Sequence, residues 1–365
     1  MSTSGTVSQT VILVKDIIEQ AARRCGRLPG SLNSEELFTS RTNLYLILSS
    51  LCNRGAPLWT VEKIVLGLNL LQNLLVFPAG TIDLRTVLYR YNVLPSGGTA
   101  SSSAGGNAAN AFDQNLATAC AQTAPNGNIS YNFGQQVTIP TVGFLPAATL
   151  TLNPVYEWSN DGLTWTEIAQ ASTGGGTTGT FGSGTYEQGV WYWQDIPQPV
   201  SAQYWRLRET GGGTLNITEL VFGQPANEIT VARSNADDYQ NLPNKNIVSG
   251  NQRPLQYWFD RQIVPQAWLW PPSGYSFNTL ICWARRQIQD VGTFTNQLEI
   301  PDRWTDAIIW ALAEACSHEF QGVQLQRIPL IAQKSAQAQQ LAWTEERDNS
   351  PVLYEVNLTP YTRSR

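Results

Sequence analysis

Ile129-Ser130-Tyr131-Asn132-Phe133-Gly134 and Tyr204-Trp205-Arg206-Leu207-Arg208 decide how this chain is read. In both, large apolar side chains alternate with polar ones. Such a period of two puts successive residues on opposite faces of a strand, and aromatic residues favour that conformation. Both stretches lie within 97–223, whose composition differs from its surroundings. Arg206 and Arg208 are its only basic residues, against Asp113, Glu157, Asp161, Glu167, Glu187, Asp195, Glu209 and Glu219. The segment therefore carries −6 in a chain of net charge −5, leaving +1 for the remainder. Rich in Gly, Ser, Thr, Asn and aromatics, 97–223 predicts a β domain that interrupts a second domain, 1–96 with 224–365.

The flanks read differently. Val11, Val14, Ile18 and Ala22 have helical spacing, with Arg23 and Arg24 in the last turn and Gly26 as the stop. Ser34 is expected to cap a second helix, with Glu35 and Glu36 complementing the helix dipole and Leu37, Leu44, Leu48 and Leu51 on one face. From Trp59 the period shortens, and 61–66, 74–77 and 84–91 read as the strands of a small sheet. After the segment, 232–240 suggests a short helix, and 257–259, 267–270 and 277–288 suggest strands. Pro301 begins a helix with Trp304, Ile308, Ala311 and Ala315 on one face, and 329–347 forms another. Expected is a multidomain α+β protein: a mainly helical body with a small β-sheet, interrupted by a β domain. A tail, 348–365, follows.

At 365 residues, roughly 150 per domain suggests two domains. The charged fraction is 14%, with 13 Trp. That fits either a surface occupied by partners or a β domain with an uncharged polar surface. No basic start followed by an apolar run marks a secretory leader, and no stretch qualifies as a membrane span, so synthesis in the cytosol is expected. Cys25, Cys52, Cys120, Cys282 and Cys316 are odd in number and widely spaced, which predicts partly buried free thiols.

Four ordered groups carry a resemblance: 111–118 (Ala-Phe-Asp-Gln-Asn-Leu-Ala-Thr), 129–134 with 141–144, 158–165 (Trp-Ser-Asn-Asp-Gly-Leu-Thr-Trp), and 204–208 with 217–220. Together they resemble the discoidin (coagulation factor 5/8 type C) family, a jelly-roll β-sandwich often used to bind carbohydrate. The resemblance implies a structural calcium held by Asp113, Thr118 and Glu219 with backbone carbonyls, and hard oxygen ligands suit that ion. The family often has Gly after the Asp, where this chain has Gln114. Read from the residues alone, Asp113 and Thr118 could equally hydrogen-bond a turn. Trp191 and Trp193 are candidates for glycan contact, and equally for alternating core positions of a strand.

The flanks carry a second resemblance, in Asn244-Lys245, Arg253-Pro254, 257–261 (Tyr-Trp-Phe-Asp-Arg), 269–272 (Leu-Trp-Pro-Pro), Arg285-Arg286, 301–307 (Pro-Asp-Arg-Trp-Thr-Asp-Ala) and 345–347 (Glu-Glu-Arg). This order resembles the head-to-tail adaptor (tail tubular protein A) of short-tailed bacteriophages. It implies a virion protein, made in the host cytoplasm, forming a dodecameric ring between the portal protein and the tail nozzle protein and lining the DNA ejection channel. The sandwich would then face outward, towards capsid, tail fibre or host glycan. Tyr354, Tyr361, Arg363 and Arg365 become candidate portal contacts. Only four of the 23 basic residues are Lys, and interfaces favour Arg for planar bidentate pairing.

Catalytic constellations are missing from the sequence. His318 is the only histidine and so the only base available, no Ser-His-Asp or Cys-His arrangement is assembled around it, and no zinc-type spacing occurs. Asp302 with Asp306, and Glu345 with Glu346, read as solvated helix faces. A body of net +1 offers no strongly basic surface, so DNA is expected only as cargo. The resulting expectation is a non-enzymatic, ring-forming adaptor, with a lectin-like carbohydrate-binding module as the alternative. Excision of 97–223, with its ends near Pro95 and Pro225 joined, is expected to leave assembly intact.

Overall fold

The computed structural model describes residues 12–28, 30, 32–54, 58–94, 96–168, 181–245 and 252–346. The helices are α1 (Val14–Arg24), α2 (Ser34–Arg54), α3 (Ala236–Asn241), α4 (Asp302–Ser317) and α5 (Ile328–Glu345). The first eight strands are β1 (Val61–Gly67), β2 (Leu74–Val76), β3 (Thr81–Val93), β4 (Thr99–Ser102), β5 (Cys120–Ala121), β6 (Asn128–Pro146), β7 (Leu150–Leu152) and β8 (Pro154–Ser159). Eight more follow: β9 (Thr166–Glu167), β10 (Gly184–Tyr186), β11 (Tyr192–Glu209), β12 (Asn216–Thr230), β13 (Ala232–Ser234), β14 (Gln256–Asp260), β15 (Gln266–Trp270) and β16 (Thr279–Arg286). Two compact units result: Met1–Trp59 with Ile288–Arg365, and Thr60–Gln287.

The expected mainly helical body is not what forms. Strand accounts for 38% and helix for 26%, and one antiparallel sheet of ten strands dominates. Its path is β1-β16-β3-β12-β6-β11-β8-β9, with β4 on β6 and β5 on β12. The reason lies in strand length. The runs read as a small sheet extend into a 13-residue β3 and an 8-residue β16, and β3 pairs with the far half of β12 from Leu88↔Thr230 to Val93↔Gln224. Composition changes at 223, but the backbone ladder does not stop there. A second, four-stranded sheet, β13-β14-β15-β2, closes over β1, β3 and β16 around Phe77, Tyr89, Tyr257, Phe259 and Leu269.

The long strands β6 and β11 build both layers of a sandwich. Residues 128–132 of β6 pair with β4 and with 204–208 of β11, while 137–144 pair with 192–202, across register shifts after Asp195 and Ala202. Bulges of this kind bend strands and let one strand serve two sheets. Trp205, Leu207, Ile129 and Tyr131 from one layer meet Val142, Phe144, Leu220 and Phe222 from the other in a single core. The alternating residues quoted at the outset are therefore the ones that turn inward.

In the helical unit, Val14, Ile18 and Ala22 are buried, as their spacing predicts, together with Ile17 and Ala21. The α2 cap is Asn33, one residue before the expected Ser34. Its side chain accepts from Glu36 N at 2.7 Å while the Glu36 carboxylate accepts from Asn33 N at 3.0 Å, a reciprocal capping box. Glu346, expected on a solvated face, is buried and accepts from the guanidinium of Arg303 (2.7 Å) and the indole of Trp304 (3.2 Å). All five cysteines are buried and unpaired. Among the described residues no helix is long and apolar enough to cross a membrane.

Candidate functional site

Asp113 follows a short 3-10 turn, Ala108–Ala111, and opens a tight loop against β12. Its Oδ1 accepts from Asn115 N at 2.9 Å and its Oδ2 from the Thr118 hydroxyl at 2.8 Å. Gln114 holds the left-handed conformation, φ 59°, at the position where the discoidin family often has Gly. Glu219, only 1% exposed on β12, faces this loop, and its Oε1 has no hydrogen-bond partner. Burial first, and then the charge of Asp113, push the Glu219 carboxyl up to about 8, against the pull of backbone N–H groups of Asn115 and Gln114.

A buried carboxylate with an orphaned oxygen, set against the charge of the exposed Asp113, fits a hard divalent cation. Such an ion would cancel their repulsion and take up the free lone pairs. Asp113 and Glu219 would hold it, with backbone carbonyls completing an oxygen shell. Thr118 spends its hydroxyl on Asp113 and on the Asn115 carbonyl (2.9 Å), so it positions the carboxylate. Among the described residues no group of three or more His, Cys, Asp and Glu comes together, so a cation here would draw the rest of its oxygen shell from backbone carbonyls and water.

The glycan-contact candidates are corrected. Trp191 and Trp193 are 6% and 1% exposed, and they pack with Val65, Leu145, Val221, Phe277 and Ile281. Their rings lie 5.4 Å apart, and Trp191 meets Phe277 edge-on at 5.6 Å. The strand alternation did apply here, but both sheet faces of β11 are covered at this point, so no indole face is available to a ligand. Tyr354, Tyr361, Arg363 and Arg365 lie outside the described residues, as does the tail 348–365.

The accessible functional-looking surface lies elsewhere, on the outer face of β4, β6, β11, β8 and β9. Cross-strand pairing places Ser101, Ser130, Arg206, Glu157 and Glu167 in one row. The buried Glu157 carboxylate accepts from Arg206 Nε at 2.5 Å and from Arg208 at 2.7 and 3.0 Å. Burial opposes its ionisation, but the two guanidiniums more than offset that and hold it below the usual carboxylate range. The Trp165 ring lies 4.0 Å from the Arg206 guanidinium, at the end of a turn that Asp161 organises by accepting from Leu163 N and Thr164 N. Tyr204 stands beside Gly162 in the same turn. The sequence signal for this face was the polar half of Trp205-Arg206-Leu207-Arg208, which alternation alone assigns outward.

No protein-family model matches the chain, and no curated protein matches it. Among solved structures the chain is similar to the family 32 carbohydrate-binding module of NanJ from Clostridium perfringens, in complex with galactose. The identity is 18% over 37% of this chain and 99% of that chain, with a TM-score of 0.29. It is also similar to chitosan-binding module 1 of a chitosanase/glucanase from Paenibacillus sp. IK-5, at 24% identity over 36% of this chain and 97% of that chain, TM-score 0.27. A putative α-L-fucosidase from Bacteroides thetaiotaomicron shares 14% identity over 37% of this chain and 29% of that chain, TM-score 0.31. None of these three is a head-to-tail adaptor, and the adaptor resemblance gains no support from them. Likeness at this level leaves the ligand of this chain to be argued from its own side chains.

Proposed function

We propose that this chain binds carbohydrate through the outer face of its sandwich, with a divalent cation at Asp113 and Glu219 fastening the 113–118 loop to β12. The observation that carries the reading is the Trp165 ring held against Arg206, which Glu157 fixes in turn alongside Arg208. Planar guanidinium groups match vicinal hydroxyls, and a fixed indole offers an apolar surface to the C–H face of a sugar ring. Arg206 and Arg208 balance Glu157 and Glu167, so the face suits a neutral glycan better than an acidic one. A glycan array probed with the whole chain tests this. Binding should fall at least tenfold in Trp165→Ala, with the melting temperature unchanged. A clean array for the wild type, or equal signals for both proteins, would sink the proposal.

A structural role as a ring-forming adaptor between portal and nozzle is the second reading. The specific observation in its favour is the helical unit's exposed apolar residues: Phe38, Tyr45 and Leu46 on α2, and Leu330 and Leu341 on α5. Such side chains in water mark contact surfaces. Native mass spectrometry tests it: a ring of copies supports the reading, and a monomer up to high micromolar concentration removes it.

A further inference from the structure

A cleft of about 390 Å3 opens within Thr60–Gln287, where the turn after β1 meets the 116–119 loop, the end of β6 and the turn at Gln188–Gly189. No charged side chain lines it. Thr218, 7% exposed on β12, presents a hydroxyl that bonds to none of the described residues. Asn69 gives its Nδ2 to the Gly189 carbonyl at 3.2 Å, which clamps the two turns together and leaves its Oδ1 without a donor among the described residues. The Gln188 side-chain amide is likewise uncommitted, while Leu116, Leu145 and Pro146 supply apolar wall.

We infer that this cleft is a subsite for one neutral sugar ring, a hexose or an N-acetylhexosamine, separate from the Trp165 face. The inference rests on the carbohydrate reading above. Its chemistry follows from the lining. One hydroxyl, one acceptor and one amide meet the alternating donors and acceptors of a pyranose. The aliphatic wall meets its C–H face, and the cleft is of the size that holds small ligands. A carboxylated or phosphorylated sugar would be desolvated here with no counter-charge, which is costly. The site is composite: Asn69 comes from outside the sandwich, so the 97–223 segment by itself lacks one wall.

Ligand-observed NMR on the whole chain tests the inference, with galactose and N-acetylglucosamine as neutral probes and glucuronate and galactose 6-phosphate as charged ones. A neutral probe should bind, and Thr218→Val and Asn69→Ala should each weaken it about tenfold, the effect of stripping one hydrogen-bonding group from a ligand site. Both variants should melt like the wild type, and Trp165→Ala should leave this binding unchanged. Absence of monosaccharide binding, tighter binding of the charged probes, or unaltered binding in both cleft variants overturns the inference. Loss in Trp165→Ala alone would keep the outer-face reading and remove this one. Loss in the two cleft variants alone supports this subsite, and the glycan array with Trp165→Ala then decides the outer face independently.

Discussion

Trp193 illustrates how a side chain's role depends on what lies across from it. In sequence, Trp191-Tyr192-Trp193 is an aromatic run that could stack on a sugar. In the fold, the Trp193 ring presses on Gly67 of β1 and Gly143 of β6, where an added Cβ would come within 2.7 Å of it. Trp193→Ala should therefore destabilise Thr60–Gln287 by about 3–5 kcal/mol, the cost of a large core truncation, as read by urea denaturation. Loss of glycan binding without loss of stability would contradict that assignment. Asp195, two residues on, is ion-paired with Lys63 and with Arg90 at 2.6 Å. Burial works against its ionisation, but Arg90 and then Lys63 prevail and lower its carboxyl below 3.8. A depressed carboxyl contributes stability that is present above its unfolded value and is lost as pH falls through the folded one. The stability advantage of the wild type over Asp195→Asn should thus be full at pH 6 and should shrink as the pH drops below 3.8, in melts recorded across pH. An advantage independent of pH would refute this.

At the scale of elements, β12 matters most. One run of 15 residues pairs with β5 and β6 in the sandwich, bears Glu219, and then pairs with β3. The chemistry of 97–223 marked a compositional border, but a β ladder is indifferent to composition and requires only backbone in register. Excision of 97–223 leaves residues 224–230 to pair with β3 but removes Leu145, Trp191, Trp193 and Val221, uncovering the apolar face of Val65, Phe277 and Ile281. The excised chain should aggregate and show no cooperative melt by circular dichroism, contrary to what the sequence suggested. A soluble, cooperatively melting product would reverse that. The same strand gives a cation prediction. Calcium at about 100 times its Kd should stabilise the wild type by about 2.7 kcal/mol. Glu219→Gln should abolish that response while keeping the metal-free melting temperature, because a neutral side chain suits the buried position. Equal calcium responses would exclude Glu219 as a ligand.

For the whole molecule, the contact-defined units divide at 59/60 and 287/288, where the β-rich chain gives way to helix-forming sequence. Expression of 60–287 should therefore yield a soluble, mostly β protein with a single cooperative transition. Expression of 97–223 should yield one that exposes Trp191 and Trp193 and binds hydrophobic dyes. Finding the shorter piece to be the better folded of the two would show that the sandwich stands alone.

The sequence by itself determined the secondary structure wherever one face of an element is buried, because a period of 2 or 3.6 is written into neighbouring residues. Trp205-Arg206-Leu207-Arg208 and the α1 stripe of Val14, Ile18 and Ala22 are of this kind. The discoidin resemblance, through ordered short motifs, named Asp113, Thr118 and Glu219 together as ligands of one ion. Only the tertiary structure decided that the sandwich and the flanking strands share one sheet, that Trp191 and Trp193 are sealed on both faces, and that Asn69 completes a cleft 49 residues from Thr118. Those outcomes depend on which strand edges and loop ends meet across long sequence separations. Local pattern specifies which face of a strand turns inward, but not what lies on the other side of it.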